Sequence, residues 1–326
     1  MWLSVRVPAS SANLGPGFDS LAIALSRYLT VTVVVDGRAR VDAPSPGEIG
    51  DGRNLTLEAM QGLARLVGRE LPGCLVTVDS AIPVARGLGS SAAAIVGGLL
   101  AANAMLGNPL TRDGIWRLAW QMEGHGDNVT AALFGGVVLA LPGQAGPLAQ
   151  QVPIAGALRA VLLIPEQPGY TSAARAVLPV EVSRQVAVVT AARCALLVLA
   201  LSSGQFALLS EAMTDELHQP HRAQLYPYLV DALAAARTGG AYGACLSGSG
   251  PSVLALAAPE AVESVRRELA RVVERYRLSA EIAVLDIATE GARVQVVSPW
   301  GPSPTDAAHR FGRLADEVVR VSPPRD

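Results

Sequence analysis

One stretch constrains this chain more than any other: Ile82-Pro83-Val84-Ala85-Arg86-Gly87-Leu88-Gly89-Ser90-Ser91-Ala92-Ala93-Ala94. A strand-like run at 75–78 precedes it, and an Ala-rich run without proline, 92–105, follows it. Glycines at a strand-to-helix junction let the backbone come close to a ligand. The first amides of a helix have no partner inside it, and the helix dipole makes that end positive. Ser90 and Ser91 add hydroxyl donors at the same place. The stretch therefore predicts a strand–loop–helix unit with an anion site suited to phosphate. It is not a Walker A loop, which needs a lysine after its last glycine. The chain has no lysine, and all 26 of its Lys-plus-Arg positions are arginine. Alone, the pattern also fits a tight turn capped by serine.

At 326 residues the chain is long enough for two domains of roughly 150 residues each. Only 4% of it is aromatic while 50% is hydrophobic, so its cores must be built from Ala, Val and Leu. Strands are expected at 5–7 (ended by Pro8), 29–35, 75–78, 134–141, 160–164, 253–256 and 282–286. Helices are expected at 54–67, 92–106, 113–122, 183–202, 204–213, 226–237 and 260–276. Glycine-rich loops fall at 10–19 and 239–251. The order lacks a regular βαβ alternation, which favours an α+β layered fold. The Gly-, Pro- and Gln-rich stretch 142–153 suggests a boundary, giving domains 1–153 and 154–297. Residues 298–326 read as a Pro-rich linker and a short amphipathic tail helix over 305–321, with Ala308, Phe311, Leu314 and Val318 at helical spacing.

Several function classes are disfavoured. The net charge is −2 and no basic block occurs, so a nucleic-acid partner is not expected. Cys74, Cys194 and Cys245 form no CxxC pair and read as buried free thiols in a reducing compartment. The N-terminus lacks the pattern of a signal peptide. The runs 92–106 and 186–201 are shorter than the ~20 residues a membrane span needs, and the second contains Arg193. Both are expected as buried helices, which points to a cytoplasmic protein without a membrane partner.

Three further segments carry candidate chemistry. In Pro8-Ala9-Ser10-Ser11-Ala12-Asn13-Leu14-Gly15-Pro16-Gly17-Phe18-Asp19, one amide and one carboxylate stand in a loop of small residues. Glu123-Gly124-His125-Gly126-Asp127-Asn128 is the densest set of catalytic side-chain types in the chain. Ser247-Gly248-Ser249-Gly250-Pro251 is another small-residue loop able to approach a ligand. Each also fits a locally capped turn.

Together and in this order, the segments resemble the GHMP small-molecule kinases. Residues 8–19 resemble that family's first motif, 83–93 its phosphate-binding second motif and 246–252 its third. Within the family, the first-motif wording and Glu-Gly-His-x-Asp-Asn look like the members that phosphorylate L-homoserine on the route to threonine. The resemblance implies an α+β two-domain fold. Its N-terminal domain would be like ribosomal protein S5 domain 2 and its C-terminal domain ferredoxin-like. It also implies that ATP and Mg²⁺ are the cofactors. Pro83, Val84, Ala85, Arg86, Gly87, Leu88, Gly89, Ser90, Ser91, Ala92 and Ala93 would bind ATP, with Ser91 and Glu123 also on the metal. Asn13, Asp19, His125, Arg175 and Arg222 would hold the substrate, the two arginines clamping its carboxylate. Asn128, Asp127 and Glu123 would be catalytic, Asn128 or Asp127 meeting the attacking hydroxyl. A homodimer is left open.

The chain departs from the family pattern at Gly126, where proline is usual. In related mevalonate kinases a Lys–Asp pair does the chemistry, whereas here Ser10 or Ser11 stands in the corresponding region. Readings kept beside this one are a kinase of another small alcohol, such as an isoprenoid precursor, and a non-catalytic binding module.

Overall fold

The computed structural model describes residues 2–35, 41–42, 54–297 and 319–321. The chain opens with β1 (Trp2–Asn13), β2 (Gly17–Val35), β3 (Val41–Asp42), α1 (Leu55–Leu66) and β4 (Cys74–Ser80). Then come α2 (Ser90–Met105), α3 (Arg112–Glu123), α4 (Asp127–Phe134), β5 (Val137–Gly143) and β6 (Gly146–Val152). The second half runs β7 (Arg159–Pro165), α5 (Thr171–Ala176), α6 (Arg184–Ser203), α7 (Leu209–Ala212), α8 (Gln219–Arg222) and α9 (Leu229–Thr238). It ends with β8 (Gly243–Leu246), β9 (Val253–Ala257), α10 (Val262–Tyr276), β10 (Ala280–Asp286), β11 (Arg293–Val297) and β12 (Val319–Val321).

Two sheets result. The first has the order β11-β1-β2-β4-β3, with β5 on β2 and β6 on β5. Residues 293–297 return to pair with β1, so strands from both halves of the chain build it. The second sheet, β12-β10-β7-β9-β8, is antiparallel throughout. Without β12, the sequence β7, helices, β8, β9, α10, β10 is the βαββαβ arrangement of ferredoxin-like folds. Side-chain parity divides its faces. Ala160 and Leu162 of β7, with Leu254 and Leu256 of β9, join the large core shared with the first sheet. Val161, Leu163, Val253 and Ala255 join a second core under α9 and α10. Burial on both faces explains the continuous apolar runs.

Helix starts follow local chemistry. Asn54 caps α1 by accepting from Leu57 N, and Thr111 caps α3 by accepting from Gly114 N. α2 differs: its N-cap is Gly89, in the left-handed region with no side-chain cap.

Several expectations are corrected. The strand at 5–7 does not stop at Pro8. It continues to Asn13, with a register shift at Pro8/Ala9 absorbing the proline. Residues 10–13 are therefore strand, and the loop shrinks to a short turn before β2. The loop at 239–251 contains β8, with Gly243 inside it. The run 186–201 is not a buried helix. α6 reaches 20 residues, long and apolar enough by length and composition to cross a membrane, and only Leu197, Ala200 and Leu201 are buried. Val188 and Leu199 are exposed, and Arg193 pairs with Glu211 and Glu216. Of the tail helix expected at 305–321, residues 305–318 lie outside the described residues. Residues 319–321 pair with β10 as a strand.

Candidate active site

Six segments meet at a cavity of about 370 Å³. They are the β1–β2 turn, the loop before α2, the α3–α4 junction, the start of α5, α8 and the β8–β9 turn. The cavity is lined by Asn13, Asp19, Val84–Ser91, Glu123, His125, Asp127, Asn128, Arg175 and Arg222, among others. Four segments singled out in the sequence thus converge in space.

The loop before α2 is tied down from several sides. Ser10 N donates to Leu88 O at 3.1 Å, and Gly169 N donates to Ala85 O at 2.8 Å. Ser247 Oγ donates to Gly87 O at 2.7 Å and lies 2.7 Å from Ser11 Oγ. Arg86 turns its guanidinium onto the carbonyls of Val84, Pro165 and Glu166. Its charged end thus braces the loop, and Arg86 still lines the cavity. Among the described residues, the amides of Ser90, Ser91 and Ala92 have no acceptor; the first intrahelical bond is Ala93 N to Gly89 O at 2.9 Å. Three free amides at the positive end of a 16-residue helix form an anion site. The outer members of the expected ATP set lie outside the cavity lining. Ala93 has a bonded amide and a buried side chain, and Pro83 has no N–H and does not line the cavity. Ala92 points its methyl into the core and offers only its amide.

At the α3–α4 junction, Ser91 Oγ donates to Glu123 Oε1 at 2.5 Å. Burial pushes the Glu123 carboxyl up, opposed by the Ser91 hydroxyl and the His125 charge. A buried carboxylate beside a hydroxyl, at the mouth of a phosphate loop, calls for a cation. His125 Nδ1 lies 2.7 Å from Asp127 Oδ1, and its Nε2 lies 3.8 Å from Glu123. Burial works against the charged ring, but the bond to Asp127 and the charges of Asp127, Glu123 and Asp19 raise its pKa overall. Asp127 Oδ1 also accepts from Asn128 N at 2.7 Å. Through Oδ1 this carboxylate orients its neighbours. Ser10 Oγ donates to Asn128 Oδ1 at 2.8 Å. The Asn128 amide nitrogen is thereby left to face the cavity.

Gly126, which starts α4, is needed for space. A Cβ there would overlap the six-membered ring of Trp120. This accounts for the departure from proline: the indole occupies the volume a ring would take. Gly126→Ala is expected to lower the Tm by about 2–6 °C through overpacking. A scan showing no shift would mean that Trp120 moves aside freely.

The structure gathers the substrate-side candidates at one end of the cavity and gives each a distinct set of partners. Asn13 Nδ2 donates to Gly248 O at 2.9 Å, and its Oδ1 accepts from Asp19 N at 3.0 Å. Asn13 and Asp19 both have positive φ, +72° and +54°. The Asn13 amide holds this strained turn, so that Asp19 reaches across to Arg175 in a two-bond ion pair of 2.8 and 3.0 Å. The Phe18 ring has two guanidiniums against it, Arg175 at 5.6 Å and Arg222 at 5.3 Å from its centroid. Two cations and one carboxylate leave this end of the cavity short of an anion. Burial, and then the Arg175 charge, lower the Arg222 pKa.

Some residues were missed or left open. Ser10 and Phe18 were read only as motif members, because their roles come from partners 118 residues away and from ring geometry. Thr171 and Ser249 line the cavity from segments noted for other residues.

Comparisons with known proteins show which proteins the chain is similar to. Residues 54–136 match the family model for the GHMP kinases N terminal domain, and residues 197–275 match that for the GHMP kinases C terminal region. The chain is 41% identical over 293 residues to a homoserine kinase of Desulfitobacterium hafniense, covering 89% of this chain and 99% of the relative. It is 44% identical over 254 residues to a homoserine kinase of Deinococcus radiodurans, covering 77% and 83%. Among solved structures, homoserine kinase from Cytophaga hutchinsonii superposes with a TM-score of 0.79 at 27% identity, covering 90% of this chain and 97% of that one.

Proposed function

The chain belongs to the GHMP kinase family, and from that premise we propose that it transfers the γ-phosphate of ATP to the side-chain hydroxyl of L-homoserine, giving O-phospho-L-homoserine. It is an ATP-dependent phosphotransferase with an alcohol acceptor, of the type used in amino-acid biosynthesis. One observation carries the choice of acceptor. Arg175, Arg222 and Asp19 sit together in the same cavity as the phosphate loop. Two guanidiniums suit an α-carboxylate, and a carboxylate suits an α-ammonium. Mevalonate has no ammonium for Asp19, and the first motif has Ser10 where a lysine would be expected for isoprenoid kinases.

In this reading the phosphates lie on the free amides of Ser90, Ser91 and Ala92. Ser91 and Glu123 would hold Mg²⁺, which when bound neutralises charge on the transferring phosphoryl group. Their oxygen donors suit that ion. Among the described residues no group of three or more His, Cys, Asp or Glu could hold a metal by itself, so phosphate oxygens and water would complete the shell. The zwitterion divides the Asp19–Arg175 pair: Asp19 takes the ammonium, while Arg175 and Arg222 take the carboxylate. His125, held by Asp127, lines the path of the hydroxyl. Asn128, held by Ser10, directs its Nδ2 donor at the oxygens of the transfer. Catalysis is then alignment plus charge stabilisation.

A coupled ADP-release assay tests the acceptor. L-Homoserine is expected to support turnover, and mevalonate and simple sugars are not. ADP release with mevalonate or a sugar but not with homoserine would overturn the assignment.

A further inference from the structure

His218 is completely buried, at the N-terminus of the short α8, and forms no part of the phosphate or metal end of the site. Its two ring nitrogens have partners of fixed role. Nε2 lies 2.9 Å from Gly15 O, which can only accept. Nδ1 lies 3.1 Å from Arg222 Nη1, which can only donate. The ring must therefore carry its proton on Nε2 and a lone pair on Nδ1. Asp215, Asp19 and Arg222 are the charged groups acting on it, and burial favours its neutral form. Asp215 in turn accepts from the amides of Leu217, His218 and Gln219, which fixes the backbone beneath the ring.

The other end of this chain of bonds is a guanidinium with most of its donors engaged. Arg222 Nε donates to Ala174 O at 3.1 Å, and Nη1 donates to Gly248 O at 3.1 Å as well as to His218. Among the described residues, Nη2 has no acceptor, although Arg222 lines the cavity. Arg222 therefore cannot present the two-nitrogen fork of a free arginine. It meets a carboxylate through Nη2 alone, in a direction set by its three anchors.

We propose that His218 is a positioning residue for the substrate carboxylate: its neutral ring, pinned on Gly15, holds Arg222 so that Nη2 is the group offered to the ligand. The proposal deepens the homoserine reading and rests on it for the identity of the carboxylate.

Two near-isosteres separate positioning from packing. His218→Asn keeps an acceptor close to the Nδ1 position and gives up the bond to Gly15. His218→Gln keeps a donor close to the Nε2 position and gives up the acceptor for Arg222. The asparagine variant is expected to keep the homoserine KM within about threefold, and the glutamine variant to raise it about tenfold or more. ATP KM should be unchanged in both. Equal KM changes in the two variants, or a larger effect in asparagine, would overturn the proposal. So would parallel shifts in the ATP KM, which would mean a general loss of packing. Nitrogen-15 spectra of the wild-type ring test the same claim without substrate. The Nε2–H tautomer is expected at neutral pH, with an Nδ1 signal that moves in Arg222→Lys. An Nδ1–H tautomer or an imidazolium would overturn it. Wild-type protein that fails to turn over homoserine would overturn the acceptor assignment instead, with the spectra still deciding the role of His218.

Discussion

Gly89→Val is expected to abolish nucleotide binding while leaving most of the fold intact. Gly89 has φ of +69° at the N-cap of α2. A β-branched residue in that region costs about 1–3 kcal/mol. Its Cβ would also land on Ser10 Oγ and within 3.1 Å of Asn128 Oδ1. To make room the loop must lift, which breaks the Ser10–Asn128 bond and turns the Ser90 and Ser91 amides off the phosphates. Losing two charge-assisted hydrogen bonds at roughly 1.5–3 kcal/mol each amounts to about 100- to 10⁴-fold in affinity. Titration calorimetry with MgATP, beside circular dichroism, reads this directly. Unchanged affinity in a natively folded variant would remove the loop from the phosphate site. The pair Gly89→Ala and Gly89→Ala/Ser10→Ala separates the two causes. Recovery in the double variant assigns the loss to overlap with the hydroxyl, and no recovery assigns it to backbone strain.

Arg222→Ala is expected to raise the homoserine KM strongly and the ATP KM little. Truncating a desolvated guanidinium that holds a ligand carboxylate costs roughly 2–4 kcal/mol, or about 30- to 1000-fold in kcat/KM. Lysine should rescue poorly, because an ammonium cannot bond Ala174, Gly248 and His218 while also reaching a ligand. Arg222 is only 2% exposed, so truncation also leaves the Ala174 carbonyl and the His218 Nδ1 lone pair without a donor, at about 1–3 kcal/mol each, while Gly248 O keeps its bond from Asn13. The Tm should fall along with the affinity. Arg175→Ala is the contrast. Its side chain is 41% exposed and paired with Asp19, and exposed ion pairs are worth about 0–1 kcal/mol. It should raise the homoserine KM with almost no change in Tm. If both alanine variants keep a near-normal homoserine KM, the carboxylate is held elsewhere.

What the sequence determined by itself was local. Asn54 and Thr111 start helices where their side chains can cap, because a cap needs only the next three residues. The β4–loop–α2 unit and its free amides follow from glycine, serine and an apolar run in adjacent positions. The segments that converge on the cavity could also be picked out, since catalytic side-chain types crowded among glycines are rare enough to stand out.

Only the tertiary structure decided the rest, because the deciding bonds join distant positions and leave no local mark. Residues 10–13 look like loop and become strand because β2 supplies a ladder along their whole length. β8 forms within a glycine-rich stretch because β9 pairs with all four of its residues. α6 is as apolar as a core helix, yet it lies at the surface because packing covers only its end near Leu197 and Leu201. Arg86 and Arg222 are the same residue type beside small-residue loops. One bonds carbonyls through all three guanidinium nitrogens and the other keeps Nη2 free, and only the positions of Pro165, Glu166, Ala174 and His218 in space make that difference.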